Sequence, residues 1–396
     1  MTNLSRRGAS VKTLTGTPAQ HGFVFPAEFA PHSGTWFSWP RPEGISFPGR
    51  HHRIAANLAA IMREIAPREL VHINVPNENW QRIVTLQLLD EGLKKQHLGI
   101  GGKSKGEQIK ENDPAARVRF HYIPTNESWC RDHGPAFVQR TVGTGRKARI
   151  ETAIVDWGFN AWGGKYPPFD SDDAVPTRVA EKLGKAVCGV FYPSLKNKPV
   201  IMEGGAVEFN GRGTILTTEA CLLNKNRNPH LSRKEIEQAL CDGYGQKHIV
   251  WLHDGIAGDD TDGHIDDLAR FVSPNTIVTT VEDDTKDENY KVLRDNLKRL
   301  EKARDQDGKP FHIVTLPMPG VVECEGQRLP ATYANFYFVN GALLVPTFRH
   351  KKNDKKALKI LQELLPDREV IGIDCTDLIW GLGAIHCLSQ QVPQLG

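Results

Sequence analysis

Residues 276–315 read TIVTTVEDDTKDENYKVLRDNLKRLEKARDQDGKPFHIVT, and the order of the elements in this segment indicates the fold class. The segment opens and closes on short β-rich runs, 276–280 and 312–315, which predict two strands. Between them, residues 289–304 carry leucines at helical spacing, which predicts a helix. A helix that links two strands is typical of an α/β protein.

The same alternation extends over the rest of the chain. A capping box at residues 232–235 and apolar spacing over 355–365 predict two more helices. Further strands are predicted at 69–75, 117–123, 148–156, 213–218, 248–252 and 342–346. No strict repeat period is visible, and Gly381 and Gly383 lack the third glycine of a dinucleotide-binding loop. The sequence therefore predicts an α/β fold without a nucleotide fingerprint.

Few breaks divide the chain into separate units. No long Ser- or Pro-rich linker occurs after residue 20, which predicts a single catalytic domain over residues 21–396. Residues 1–20 are basic and polar and predict a disordered tail, with a transit peptide as the alternative. The Gly- and Lys-rich segment 101–112 predicts an exposed loop.

The composition excludes several classes of protein. Of the 396 residues, 39% are hydrophobic and 24% are charged, which is ordinary for a globular protein. A net charge of +3 gives no reason to expect nucleic acid or an anionic membrane as a partner. No apolar run is long enough to span a bilayer, and no apolar signal core indicates secretion.

The cysteines indicate a reducing environment. There are seven of them, and no Cys-x-x-Cys pair occurs. An odd number without such a pair argues against a disulfide framework and against a thiolate zinc site. We therefore predict a cytoplasmic protein in which at least one thiol is available for chemistry.

Four short polar segments in apolar surroundings combine glycine with ionisable residues. The first, WCRDHGP at 129–135, contains Asp132, for which the alternative role is a simple ion pair with Arg131. The second, MEGG at 202–205, places Glu203 before two glycines. That suits a site where a ligand approaches the backbone, although a surface turn has the same composition.

The third segment, DDTDGHIDD at 259–267, has an acid/base residue and several acids. If residues 263–266 are extended, His264 and Asp266 point the same way, because side chains alternate along a strand. That arrangement suits a general acid or base beside a carboxylate. A metal site built from Asp262, His264 and Asp266 is the competing interpretation, although a second histidine at ligand spacing is missing.

The fourth segment, WGLGAIHC at 380–387, ends on a cysteine. In an extended chain His386 and Cys387 project to opposite sides, so we do not expect His386 to be the base for that thiol. Buried packing is the alternative role for Cys387. Together, the four segments supply a thiol, an imidazole and several acids, which indicates nucleophilic catalysis. The excess of acids indicates a cationic substrate, because carboxylates bind a planar guanidinium through charge-assisted hydrogen bonds.

These segments resemble the agmatine deiminases and the related Porphyromonas-type peptidyl-arginine deiminases, from about residue 25 to the C-terminus. Other matching pieces are FPAEF at 25–29, TWFSWP at 35–40, FNAWGGKY at 159–166, LTTEACLLNKNRNP at 216–229 and YANFY at 333–337. The resemblance implies a five-bladed, pseudo-symmetric α/β-propeller of the pentein type, with the active site on its axis.

The resemblance also implies roles for individual residues. Cys387 matches the nucleophile, His264 the acid/base, and Asp132 and Asp266 the guanidinium clamp. Glu203 matches a further acid of the site, which either orients His264 or completes the clamp. No cofactor and no metal are implied.

The implied activity is hydrolytic deimination, with release of ammonia through a thiouronium intermediate, and agmatine and N-carbamoylputrescine as the leading substrate and product. Trp129 either stacks on the guanidinium or packs in the core. Asp262, with its neighbours Asp259 and Asp260, either meets the distal amine or forms a solvated acidic turn.

The sequence departs from the agmatine deiminases at two places. These proteins carry Gly-Gly-Gly-Asn where this chain has GLGA at 381–384, and Thr where it has His133. The substrate therefore stays open between agmatine, arginine and peptidyl-arginine. The sequence also leaves room for an amidinotransferase, a metal-dependent hydrolase or a guanidino-binding protein without turnover. The partner expected is a small cationic guanidino compound, and homo-oligomerisation stays open.

Overall fold

The computed structural model describes residues 11–100 and 116–395. The predicted loop at 101–112 and the first ten residues of the predicted tail lie outside the described residues. Residues 11–20, which the sequence placed in a disordered tail, are held against the protein. The Leu14 N–H donates to the carbonyl of Val190 over 2.8 Å, and Thr13 forms a parallel bridge with Val190. These backbone hydrogen bonds correct the prediction for that part of the tail.

Within the described residues, the chain forms twenty β-strands and eleven α-helices, which confirms the prediction of an α/β fold. The strands are β1 (His32–Ser38), β2 (Leu70–Val75), β3 (Val118–Tyr122), β4 (Ala136–Val142), β5 (Arg149–Val155), β6 (Val190–Phe191), β7 (Ser194–Leu195), β8 (Lys198–Pro199), β9 (Val207–Phe209), β10 (Thr214–Thr218), β11 (His248–Leu252), β12 (Ala269–Ser273), β13 (Thr276–Val281), β14 (His312–Pro317), β15 (Glu323–Cys324), β16 (Gln327–Arg328), β17 (Tyr337–Val339), β18 (Ala342–Thr347), β19 (Glu369–Asp374) and β20 (Gln390–Pro393). The helices are α1 (His51–Ile65), α2 (Glu78–Asp90), α3 (Cys130–His133), α4 (Ala161–Gly164), α5 (Asp170–Asp173), α6 (Val175–Leu183), α7 (Glu219–Leu222), α8 (Arg233–Tyr244), α9 (Asn289–Lys302), α10 (Lys351–Leu364) and α11 (Ile385–Leu388).

One arrangement recurs in five sheets of the described chain. In each sheet an antiparallel pair is extended by a parallel partner. The central strands are β1 between β20 and β2, β5 between β4 and β6, β10 between β9 and β11, β13 between β12 and β14, and β18 between β17 and β19. The parallel strands of each unit are linked through a helix, because a tight turn cannot join them. These helices are α1, α6, α8, α9 and α10.

The elements predicted from sequence are present with small shifts at their ends. The eight predicted strands correspond to β2, β3, β5, β10, β11, β13, β14 and β18. Helices α8, α9 and α10 were also predicted, although α10 begins at Lys351 rather than at residue 355. The predicted capping box is confirmed. The side chain of Ser232 accepts from the Glu235 N–H, and the side chain of Glu235 accepts from the Ser232 N–H.

The outer helices bury one face against the sheets. In α1 that face consists of Ile54, Leu58, Ile61, Met62 and Ile65. Their spacing of mostly three and four residues places them on one side of the helix. Burial of one such side chain contributes about 1.5–3 kcal/mol, so these helices hold the sheets in place. In the described part of the chain, no helix has both the length and the apolar character that a membrane crossing requires.

A short turn precedes the first strand of each repeated unit. These turns are α11 before β20, α3 before β4, a 3-10 turn at Gly204–Ala206 before β9, a 3-10 turn at Ile265–Asp267 before β12, and the segment 333–336 before β17. Because β20 pairs with β1, the last turn of the chain belongs to the first unit. The predicted catalytic residues lie in these turns or directly before them, and they are Asp132, Glu203, His264, Asp266 and Cys387.

Candidate active site

Cys387 lies in α11 and lines a cavity of about 170 Å³. Its Sγ accepts from the Asn335 side-chain amide at 3.0 Å and lies 3.7 Å from Oδ2 of Asp266. The chain is not extended here, as the opposite projection of His386 and Cys387 required, because residues 385–388 form one helical turn. The turn lets Cys387 line the cavity while His386 is buried on another side.

The surroundings of Cys387 favour its neutral form. Burial raises the pKa of the thiol well above its ordinary value, and the carboxylates of Asp266, Asp267 and Asp132 raise it further. A cation bound beside the sulfur acts in the opposite direction, because it stabilises the thiolate. In the absence of a ligand the surroundings therefore favour the neutral thiol, and a cation bound beside the sulfur would lower its pKa.

His264 lies between two carboxylates and is 1% exposed. Its Nδ1 is 3.7 Å from Asp132 Oδ1, and its Nε2 is 3.6 Å from Glu203 Oε2. Burial lowers the pKa of the imidazole, but Asp132, Cys221 and Glu203 together raise it well above the ordinary value. The neighbouring carboxylates therefore favour the protonated imidazole, which is the form that can donate a proton.

The backbone around His264 is extended over only part of residues 263–266. His264 itself is extended, but residues 265–267 form a 3-10 turn, so the condition under which His264 and Asp266 would point the same way is not met. Gly205 packs directly against the imidazole. A Cβ at this position would lie 2.5 Å from His264 Nδ1 and 2.8 Å from Asp132 Oδ1, so only glycine fits.

Asp132 is held by two donors. Its Oδ1 accepts from the Gly205 N–H at 3.0 Å, and its Oδ2 accepts from the Trp162 indole N–H at 2.9 Å. Burial raises the pKa of this carboxyl to about 6, against an opposing contribution from protonated His264. The carboxylate lines the cavity and retains lone pairs for a cationic ligand.

Glu203 is fully buried behind His264 rather than in the cavity lining. Its Oε1 accepts from Arg227 Nε at 2.8 Å, and its Oε2 faces His264 and the Cys221 thiol. Burial opposes ionisation, but Arg227 and His264 lower the pKa of the carboxyl below its ordinary value. Of the two roles left open by the sequence, this position suits orientation of His264.

Asp266 is the second acid beside the thiol. Its Oδ2 lies 2.6 Å from His386 Nδ1, whereas its Oδ1 is buried without a hydrogen-bond partner among the described residues. Burial raises the pKa of the carboxyl, but His386 and His264 outweigh that effect and lower it. An ionised, unpartnered oxygen in a buried site is a ready acceptor for a ligand N–H.

A charged network that the sequence analysis missed supports this acid. Glu28 binds His386 at 2.7 Å, Arg131 at 3.0 Å and Arg270 at 3.0 Å, and Arg270 also binds Glu208. Burial raises the pKa of Glu28, but Arg270, His386 and Arg131 together lower it well below the ordinary value. Glu28 lies in the FPAEF segment at 25–29, and His386 lies in the WGLGAIHC segment at 380–387. Neither segment indicated that the two side chains are in contact.

Trp129 and Asp262 were both predicted to bind the substrate, but only Trp129 is among the described residues that line the cavity. Trp129 lines the cavity and donates from its indole nitrogen to Ser46 Oγ at 2.8 Å. Asp262 does not line it, because its carboxylate binds Arg227, Asn226 and Lys165. The acid of this segment that lines the cavity is Asp260.

The metal-site interpretation has little geometric support in the described residues. Two groups of three potential ligands lie within 4.8 Å of one another: Glu203, Cys221 and His264, and Asp266, Asp267 and Cys387. Neither contains the predicted combination with Asp262, which is engaged by cationic and amide side chains. The arrangement instead suits a thiol nucleophile, an acid/base and carboxylates for a cation.

The charges that line the cavity are of one sign. Among the described lining residues, Asp132 and Asp260 carry formal charge, and neither lysine nor arginine is present. Lys165 pairs with Asp260 from outside the lining. Aromatic rings and aliphatic groups form much of the remaining wall, including Trp129 and Trp380. The cavity therefore suits a cation with an apolar body.

Comparison with known proteins agrees with this site. The sequence pattern of the Porphyromonas-type peptidyl-arginine deiminases matches residues 24–393. The chain belongs to this family. Membership confirms the predicted resemblance and the prediction of an enzyme, a hydrolase that acts on C–N bonds of amidines.

Members of the family differ in name, and this chain is similar to agmatine deiminases. It is 34% identical to the agmatine deiminase of Ectopseudomonas mendocina over 96% of this chain and 98% of that protein. It is also 34% identical to the agmatine deiminase of Pseudomonas fluorescens, over 97% and 99%. The agmatine deiminase structure from Enterococcus faecalis superimposes with a TM-score of 0.80 at 29% identity, covering 96% of this chain and 98% of that one.

Proposed function

We propose that the protein hydrolyses the guanidino group of agmatine to give N-carbamoylputrescine and ammonia. One observation carries the proposal. The thiol of Cys387 lies 3.7 Å from Asp266 and shares a cavity with Asp132, whose carboxylate lies 3.7 Å from the His264 imidazole, and the described lining of that cavity carries only negative charge. That combination matches a planar cation that must be held and attacked at carbon.

Binding prepares the nucleophile. The guanidinium nitrogens donate to Asp132 and to the unpartnered Oδ1 of Asp266. The bound cation offsets the acids that raise the pKa of Cys387, so the thiol releases its proton to solvent as the substrate binds. The thiolate then attacks the central carbon, a C–S bond forms, and the electron pair of the C=N bond moves to nitrogen.

Collapse of this adduct releases ammonia. His264 gives its proton to one nitrogen, the C–N bond breaks, and a thiouronium remains on Cys387. Neutral His264 then accepts a proton from a water molecule that adds to the same carbon. The C–S bond then breaks with its electron pair returning to sulfur as thiolate. The hydroxyl group on the carbon loses its proton to solvent, and the carbon leaves as a neutral ureido group.

The substrate is chosen by charge. Free arginine would bring a carboxylate to a cavity in which no cationic residue is present among the described lining residues. A buried, unpaired charge costs several kcal/mol, so agmatine, which lacks that carboxylate, fits better. The relatives from Ectopseudomonas mendocina and Pseudomonas fluorescens are named agmatine deiminases, which supports the same choice.

We extend the proposal to the whole chain. Five units with the same strand order, closed by pairing of β20 with β1, support a five-bladed propeller that forms one catalytic domain over residues 21–396. All seven cysteines are free thiols, which supports a cytoplasmic location.

The test is a panel of guanidino compounds given to the purified protein, with ammonia and ureido product measured separately. Agmatine should give both, at a rate above those for arginine and for benzoyl-arginine amide. Acid quenching during turnover should trap a protein adduct with the mass of the substrate minus ammonia. Turnover that is lost with chelator and survives thiol alkylation would instead favour a metal-dependent hydrolase.

A further inference from the structure

Leu382 adopts a backbone conformation that leucine rarely takes. Its φ is 69° and its ψ is 21°, in the left-handed region, at the end of the 3-10 helix Leu378–Gly381. Its N–H donates to the Ile379 carbonyl at 2.9 Å, which fixes the turn. In this region the Cβ of an L-residue crowds the backbone, whereas glycine adopts it freely. Such strained residues cluster at ligand sites, where the surrounding structure holds them.

The two neighbouring glycines have no room for a side chain. A Cβ on Gly381 would lie 2.4 Å from the ring of Phe47, and one on Gly383 would lie 2.5 Å from the ring of Trp129. Leu382 lies between them and lines the cavity. Of these three residues, Leu382 is the one with a side chain, and it lies at the cavity wall.

The position along the cavity follows from the neighbours. A Cβ on Gly383 would lie 3.0 Å from Cβ of Cys387, so that end of the turn adjoins the nucleophile. Trp380, at the other end, packs under the partly exposed Arg50. Leu382 therefore lies on the cavity wall between the residue that adjoins Cys387 and the residue that contacts the partly exposed Arg50.

We propose that Leu382 is a specificity-determining residue, which narrows the cavity so that it accepts a guanidino group on an unbranched aliphatic chain and excludes branched arginine derivatives. The inference rests on the proposed deimination and adds a selection by shape to the selection by charge. Apolar contact with Leu382 favours a methylene chain, whereas an amide branch at the far carbon meets the leucine side chain.

The experiment compares wild type with Leu382→Gly and Leu382→Ala. For each protein, kcat/KM is measured with agmatine and with benzoyl-arginine amide, which has no free carboxylate. Both variants should reduce the preference for agmatine by about ten-fold or more, the range that removal of apolar contacts produces in a pocket. Only Leu382→Gly also relieves the backbone strain, so its unfolding midpoint should exceed that of Leu382→Ala.

Asn197→Gly is the matched control. Asn197 has a φ of 61° in the exposed turn between β7 and β8, and it does not line the cavity. This variant should keep the wild-type preference. If the wild type is active and both Leu382 variants keep its preference for agmatine to within about two-fold, the proposed role of Leu382 is wrong. That result would leave the proposed function standing. Wild type that releases ammonia from neither compound nor from arginine would overturn the proposed function, and this inference with it.

Discussion

The Nδ1 atom of His386 lies 2.6 Å from Oδ2 of Asp266, and the other ring nitrogen lies 2.7 Å from a carboxylate oxygen of Glu28. The three side chains are at most 5% exposed. The histidine occupies one oxygen of Asp266 and leaves Oδ1 without a partner among the described residues. His386 thus orients the free oxygen, and it does so from the position directly before Cys387 in sequence.

Replacement of His386 by Gln should lower kcat/KM for agmatine by about 10²-fold, the loss that a misplacement of about 1 Å produces in an active site. Glutamine reaches one of the two carboxylates but not both, so Asp266 loses its orientation. The measurement is steady-state kinetics together with the unfolding midpoint. His253→Gln is the control, since His253 is exposed and its ring pairs with Glu219, which does not line the cavity. A lower unfolding midpoint without a change in kcat/KM would assign His386 a purely structural role.

Replacement of Cys387 by Ser should abolish turnover and the covalent adduct, because a hydroxyl is not ionised by the charges that generate the thiolate. Folding should survive, since the change removes no packed group of any size. Cys188→Ser is the matched control, because Cys188 is a half-buried thiol that does not line the cavity. Mass spectrometry of acid-quenched enzyme checks both variants. Turnover by Cys387→Ser at even a tenth of the wild-type rate would contradict the mechanism.

Replacement of Asp132 by Asn should make the free thiol more reactive and the enzyme less active. Asp132 is one of the acids that raise the pKa of Cys387, so loss of its charge lowers that pKa and increases the thiolate fraction at a given pH. The rate of iodoacetamide labelling at Cys387, followed from about pH 6 to 9, should therefore shift to lower pH. Turnover should fall about 10²-fold or more, because a buried guanidinium loses a partner worth roughly 3–5 kcal/mol. Parallel loss of labelling and turnover would indicate a collapsed site instead.

The sequence predicted which residues lie close together, but it did not predict the local backbone conformation around them. Asp132, Glu203, His264, Asp266 and Cys387 come together because each lies in or beside the turn before the first strand of a repeated unit. The alternation of side chains along a strand does not apply at residues 265–267 and 385–388. Side chains alternate only in extended backbone, and both segments are helical turns. A turn of three or four residues carries too little periodicity to be predicted.

The repeat and the charged network were beyond single-sequence reasoning for a different reason. The five units share strand pairing, which depends on backbone hydrogen bonds, and their connecting segments differ in length and composition. Glu28 and Arg131 pair across 103 positions of sequence, and each is an ordinary charged residue in its own segment. Only their burial distinguishes them, and burial of a charge follows from the tertiary fold.

The same Asp132→Asn variant should be more stable than wild type at neutral pH. Burial raises the pKa of Asp132 from 3.8 to about 6, so the folded protein binds this proton more tightly than the unfolded chain does. The destabilisation from Asp132 is therefore fully present above about pH 6 and disappears as the pH falls towards 3.8. At about 1.36 kcal/mol per pKa unit, the variant should gain up to about 3 kcal/mol of unfolding free energy at pH 8, less the loss of any hydrogen bond that Asn cannot make. Urea titrations at several pH values measure this difference. A gain that grows, rather than shrinks, on acidification would show that the charge of Asp132 stabilises the fold.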